Sequence, residues 1–103
     1  HHYIHHCAAS WSAMNVEMIY DSEADVLYAS LGKPTPCTSR EVGSCVLLRY
    51  DVMHGALCAV TLIGARQRAL ADRSSIDASI ATVPAALRRA VSTWLDQVSA
   101  DRT

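Results

Sequence analysis

Three carboxylates, Asp21, Glu23 and Asp25, stand at alternate positions in the run Tyr20-Asp21-Ser22-Glu23-Ala24-Asp25. Oxygen ligands at that spacing open a calcium loop of EF-hand type. Such a loop also wants glycine at its sixth position and a bidentate glutamate at its twelfth; counted from Asp21, those positions hold Val26 and Gly32. The same residue types are the common cappers of tight turns, because a short side-chain oxygen can accept from a nearby backbone N–H. Asp21 or Ser22 is therefore expected to cap the turn Ser22–Asp25, and no metal site is assigned to Glu23 or its neighbours.

The other reactive side chains are scattered. Four cysteines, Cys7, Cys37, Cys45 and Cys58, would permit two disulfides, yet they lack the dense spacing of a small secreted framework, so free thiols are expected. Cys45 and Cys58 lie inside apolar runs, where a thiol packs as a small hydrophobe, and core packing is the reading preferred to reactivity or metal binding. His54 is the one histidine beyond the first thirteen residues. It has no Cys-x-x-Cys or second histidine nearby and reads as a solvated turn residue. A nucleophilic pair of His54 with Cys37, Cys45 or Cys58 has no local signature, and there is no Gly-x-Ser-x-Gly elbow. The four glycines, Gly32, Gly43, Gly55 and Gly64, stand singly, so no phosphate cradle is present. No enzyme activity and no cofactor are predicted.

Charge excludes further classes. The chain of 103 residues has 18% charged residues and a formal net charge of −1, a balance unlike that of a disordered tail or an electrostatically driven nucleic-acid binder. Arg66, Arg68, Arg73, Arg88 and Arg89 make the C-terminal half locally basic. Without interleaved aromatics or a helix-turn-helix pattern they read as a solvated face or inter-subunit salt bridges, not as phosphate contacts. No apolar run reaches the ~20 residues needed to span a bilayer. The expectation is a soluble, cytoplasmic protein with no membrane and no nucleic-acid partner.

These residues must be positioned by a sheet and a helix. Residues 1–13, opening His1-His2-Tyr3-Ile4-His5-His6, resemble a degenerate tag or upstream extension, with Met14 a natural start, and are set apart from functional reasoning. Residues 14–103 then form a single domain. Val16, Met18 and Tyr20 alternate with Asn15, Glu17 and Ile19 as a strand does. Val26–Leu31 follows as a second strand and Gly32-Lys33-Pro34 closes it. Thr38–Val42 is a polar, peripheral third strand, and Gly43-Ser44 turns into Cys45–Tyr50. The loop Asp51–Gly55 leads to Ala56–Ile63. Residues 14–64 thus read as an antiparallel β-meander of about five strands. Its last two strands are apolar at nearly every position, which predicts cover on both faces.

Residues 65–82 read as a linker or short helix, and 83–101 as a C-terminal helix. Thr82 offers its cap, Pro84 suits its first turn, and Leu87, Val91, Trp94, Leu95 and Val98 recur at helical spacing. Arg88, Arg89, Ser92, Asp96 and Gln97 fall on the opposite side. The fold class is α+β, with the helix packed on one sheet face. A helix of about 17 residues, ~25 Å long, covers only part of one face of such a sheet. A second copy is the simplest cover for the other face, so a homodimer or higher homo-oligomer is expected, with exchange of the C-terminal helix across 64–82 as one route.

The run Tyr20-Asp21-Ser22-Glu23-Ala24-Asp25-Val26-Leu27-Tyr28, then Arg40-Glu41-Val42 before a glycine turn, then Val46-Leu47-Leu48-Arg49-Tyr50-Asp51 and a glycine-containing turn, resembles the bacterial domain of unknown function 2283 family over about residues 14–66. The resemblance implies a small β-rich domain and brings no activity with it. Members can neighbour small toxin-like genes, which implies an antitoxin-like role as one alternative. The chain departs from the family pattern in a longer Asp51–Gly55 turn, in Ala59 where glycine is usual, and in the extension 67–103, where a function private to this protein would sit.

The leading functional expectation is a non-enzymatic module that binds itself or a protein partner. The alternative is a small-molecule binder with a pocket between sheet and helix, lined by Tyr20, Tyr28, Tyr50 and Trp94, with Leu87, Val91 and Leu95 nearby. Trp94 reads first as a core anchor.

Overall fold

The computed structural model describes residues 2–6, 16–32 and 35–101; side chains are described from Val16 onward. Met14, Asn15, Lys33, Pro34 and Cys7 lie outside the described residues. The five expected strands are present as β2 (Val16–Asp21), β3 (Val26–Leu31), β4 (Cys37–Val42), β5 (Val46–Asp51) and β6 (Leu57–Ile63). A sixth, β1 (His2–His6), comes from the N-terminal segment and pairs antiparallel with β2, His2 opposite Asp21 and His6 opposite Glu17.

The sheet is antiparallel throughout, but its order is β1-β2-β3-β6-β5-β4, not that of a sequential meander. The chain makes the hairpin β2–β3, crosses to the far edge, and meanders back through β4 and β5 so that β6 docks beside β3. Polarity accounts for the detour. β6, Leu-Cys-Ala-Val-Thr-Leu-Ile, is the most apolar strand and takes a central place, whereas β4, Cys-Thr-Ser-Arg-Glu-Val, can leave one edge in water.

Of the two forms expected for the 65–82 connection, a linker or a short helix, it takes the helical one. It folds into α1 (Ala65–Ala71) and α2 (Arg73–Ser79), with Asp72 capping α2 by accepting from Ser75 N–H at 3.3 Å. Next comes α3 (Ala85–Asp101). Its first N–H···O bond runs from Arg88 N–H to the carbonyl of Pro84, at 2.9 Å, so Pro84 and not Thr82 stands at the helix entrance. The Arg88 guanidinium folds back to donate to the carbonyls of Ala81 and Val83, closing that turn.

All three helices lie on one face of the sheet. α3 rests on β2 and β3 and beside α1. Leu87, Val91, Trp94, Leu95 and Val98 of α3, with Ile76 and Ile80, press onto Val16, Met18, Leu27, Ala29, Val46, Leu48, Val60 and Leu62. The extension 67–103 therefore supplies much of the cover for the core. Leu87, Val91 and Leu95 are fully buried, each contributing about 1.5–3 kcal/mol relative to exposure.

Candidate functional site

The acidic run resolves into two caps of different reach. Asp21 Oδ1 accepts from the N–H groups of Glu23 and Ala24, at 3.0 and 3.2 Å, which closes the turn between β2 and β3. Asp25 does not serve that turn. It holds a left-handed conformation, φ 57°, which aspartate tolerates better than most residues. Its carboxylate reaches the start of α1, accepting from Arg66 N–H at 2.7 Å and Gln67 N–H at 3.1 Å. The Asp25 backbone carbonyl accepts from Ala65 N–H at 2.9 Å. Tyr20 Oη donates to the same carboxylate at 2.7 Å. Asp25 is thus the N-terminal cap of a helix forty residues downstream, because the register of β3 with β6, Val26 opposite Ile63, brings the two together.

The electrostatics follow from these contacts. Burial works to raise the Asp25 pKa, and the donors Arg66 N–H, Tyr20 Oη–H and Gln67 N–H, with the Arg66 charge, outweigh it and hold the carboxyl below its ordinary value. Burial, the hydrogen bond to Asp25 and the Asp25 charge push the Tyr20 phenol up to about 12. Tyr20 also packs on Trp94 with ring centroids 4.9 Å apart and planes tilted by 50°. The run is a structural clasp joining sheet, α1 and α3.

The four aromatic residues expected to line a pocket do not converge on one site, although Tyr20 and Trp94 pack on each other. Tyr20 and Trp94 lie on the helical side, and Tyr50 packs against the core from β5. Tyr28 alternates with the core residues Leu27 and Ala29 and faces away, 42% exposed. The sheet–helix interface holds the buried core residues, Leu87, Val91 and Leu95 among them.

The face away from the helices is the unusual surface. Register places Ile19, Tyr28, Thr61 and Leu47 side by side across β2, β3, β6 and β5, with Val26 and Ile63 paired one step along. Ile19 and Ile63 are 37% and 48% exposed. One step the other way the row is Glu17, Ser30, Ala59 and Arg49, acidic at one end and basic at the other.

Sequence reasoning missed a cleft at the end of this face. Its volume is about 170 Å³, and Tyr28, Ser30, Thr35, Cys37, Arg49 and Cys58 contribute to its lining. The Cys37 and Cys58 sulfurs stand 3.3 Å apart, and Cys37 Sγ–H donates to the Thr35 carbonyl at 3.0 Å. All three described cysteines are free thiols. Cys45 is a core residue as expected, 8% exposed, but Cys58 is only half-buried. A register shift between β5 and β6 at Arg49 and Tyr50 leaves Cys58 without a ladder partner and turns it toward Cys37. Burial, the neighbouring Cys37 thiol and the Asp51 charge push the Cys58 thiol up to about 11. The irregular register is invisible in the sequence, where Cys58 is one of six apolar residues in a strand of seven.

Of the arginines, Arg73 bridges Asp77 of its own helix at 2.9 Å and Asp96 of α3 at 2.8 Å, so this pairing lies within the chain. His54 is exposed and its Nδ1 lies 3.1 Å from Asp51 Oδ2. Among the described residues no three His, Cys, Asp or Glu side chains converge on one point, and no helix is long and apolar enough to cross a membrane.

Residues 17–66 match the family described as Protein of unknown function (DUF2283). The match covers 50 of the 103 residues. The segment begins in β2 and ends at Arg66, so it contains β2 through β6 and closes where the Arg66 N–H meets Asp25. α2 and α3 lie beyond it. No curated protein and no solved structure matches the chain.

Proposed function

We propose that the protein is a non-enzymatic, self-associating module whose helix-free sheet face packs on the same face of a second copy. The observation that carries this reading is the placement of all three helices on one side while Ile19, Tyr28 and Ile63 stand exposed on the other. Exposed apolar patches on a small domain mark interaction surfaces.

The face is self-complementary. A two-fold axis running along the strands between β3 and β6 lays β2 of one copy over β5 of the other. Ile19 then meets Leu47, Tyr28 meets Thr61, and Val26 meets Ile63, while Glu17 at one rim meets Arg49 of the second copy. Aligned sheets pack about 10 Å apart in this way. The free thiols suit a reducing, cytoplasmic setting.

Sedimentation velocity or light scattering at micromolar concentration tests the reading. The expected result is a dimer that Ile19→Glu and Ile63→Lys each convert to a folded monomer. A monomeric parent chain overturns it, as does a dimer indifferent to both substitutions. A monomer that captures a different protein through these residues would keep the surface and replace the partner.

A further inference from the structure

We infer that Cys37 and Cys58 form a two-thiolate site for a soft monovalent cation, copper(I), in the cleft at the end of the helix-free face. Two thiols from distant parts of the chain are brought to 3.3 Å, and both line the cleft. Cys37 is in β4 and Cys58 in β6, with β5 between them, and the register shift at Arg49 and Tyr50 is what lets the two sulfurs meet across it. A bridging ion is reached by each sulfur at about 2.3 Å from its own strand. The pair then opens by roughly 1 Å, which side-chain rotation supplies.

Ligand number and charge select the ion. Soft thiolates favour copper(I) and zinc, but zinc is almost always held by at least three protein ligands, and no three such side chains converge among the described residues. Copper(I) accepts two. A copper(I) dithiolate carries one net negative charge, and Arg49 on the cleft wall offsets it. Binding exchanges two S–H bonds for two S–Cu bonds and releases two protons to solvent, with no change of oxidation state.

The test is anaerobic titration of the full chain, carrying Cys7→Ser, with copper(I) held by a chromophoric competitor such as bicinchoninate. The expected result is withdrawal of one equivalent per chain, unchanged by Cys45→Ala and weakened at least tenfold by Cys37→Ser or by Cys58→Ser, with circular dichroism confirming that each variant is folded. Arg49→Gln is expected to weaken uptake severalfold. The inference is overturned if the parent withdraws no copper or if either single-thiol variant withdraws it equally well.

Discussion

At the scale of single residues, Asp25 does the most. One carboxylate satisfies two of the orphan N–H groups at the start of α1 and anchors the Tyr20 hydroxyl. Asp25→Asn keeps a side chain tolerated at positive φ but loses the charge, and is expected to cost about 1–2 kcal/mol. That corresponds to a fall in Tm of several degrees, on the order of 4–8 °C per kcal/mol for a small domain. The pH dependence has a definite sign. The Asp25 pKa is lowered on folding, so its stabilisation is complete above the unfolded value of about 3.9 and is lost as pH falls through the folded value. Thermal melts across the acid range should show a shallower acid limb for Asp25→Asn than for the parent. Tyr20 gives the mirror case. Its pKa rises to about 12, so its stabilisation is complete below about pH 10 and is lost as pH rises toward 12. Ultraviolet titration of phenolate should show a tyrosine ionising near 12 that disappears in Tyr20→Phe. That variant is expected to lose about 1 kcal/mol at neutral pH.

At the scale of elements, the β4–β5 turn and α3 set the tolerances. Gly43 in that turn holds φ 65°, and a Cβ there would stand 3.2 Å from Ser79 Oγ at the end of α2. Gly43→Ala combines left-handed strain with that close approach, and is expected to cost about 1–2 kcal/mol by chemical denaturation. Leu95 on α3 is fully buried between the helical layer and the sheet. Leu95→Ala should cost about 2–5 kcal/mol, whereas Arg73→Ala, which removes exposed ion pairs to Asp77 and Asp96, should cost no more than about 1 kcal/mol. The contrast between those two variants measures how far α3 is held by apolar burial and not by charge. The strand segments, the terminal helix and the core role of Trp94 were legible because period-two and 3.6-residue patterns report burial directly. α1 and α2 were legible only as one of two alternatives, a linker or a short helix, since short helices need caps and packing from elsewhere to form, and the cap of α1 is Asp25, forty residues away.

At the scale of the whole molecule, one sheet face is sealed and the other is offered. The proposed pairing of Glu17 with Arg49 across the two-fold gives a test that surface hydrophobicity alone would not pass. Glu17→Arg and Arg49→Glu should each weaken the dimer by roughly tenfold, the order of about 1.4 kcal/mol, and the double reversal should restore it, as followed by sedimentation at several protein concentrations. The effect should shrink in high salt, because rim charges are screened over about 10 Å at 0.1 M.

The sequence by itself determined the α+β class, the five strands of residues 14–64, the amphipathic terminal helix and the family segment, all properties written in nearest-neighbour patterns of polarity. It also marked the last two strands as apolar on both faces, the trait from which self-association is argued. Tertiary structure alone decided the strand order, the use of His2–His6 as an edge strand, the role of Asp25 and the meeting of Cys37 with Cys58. Each of these joins residues distant in the chain through the register of strands in the sheet. A one-residue change of register moves every side chain to the other face, and the register shift that frees Cys58 is set by how β5 and β6 pair, a choice made only when the whole sheet assembles.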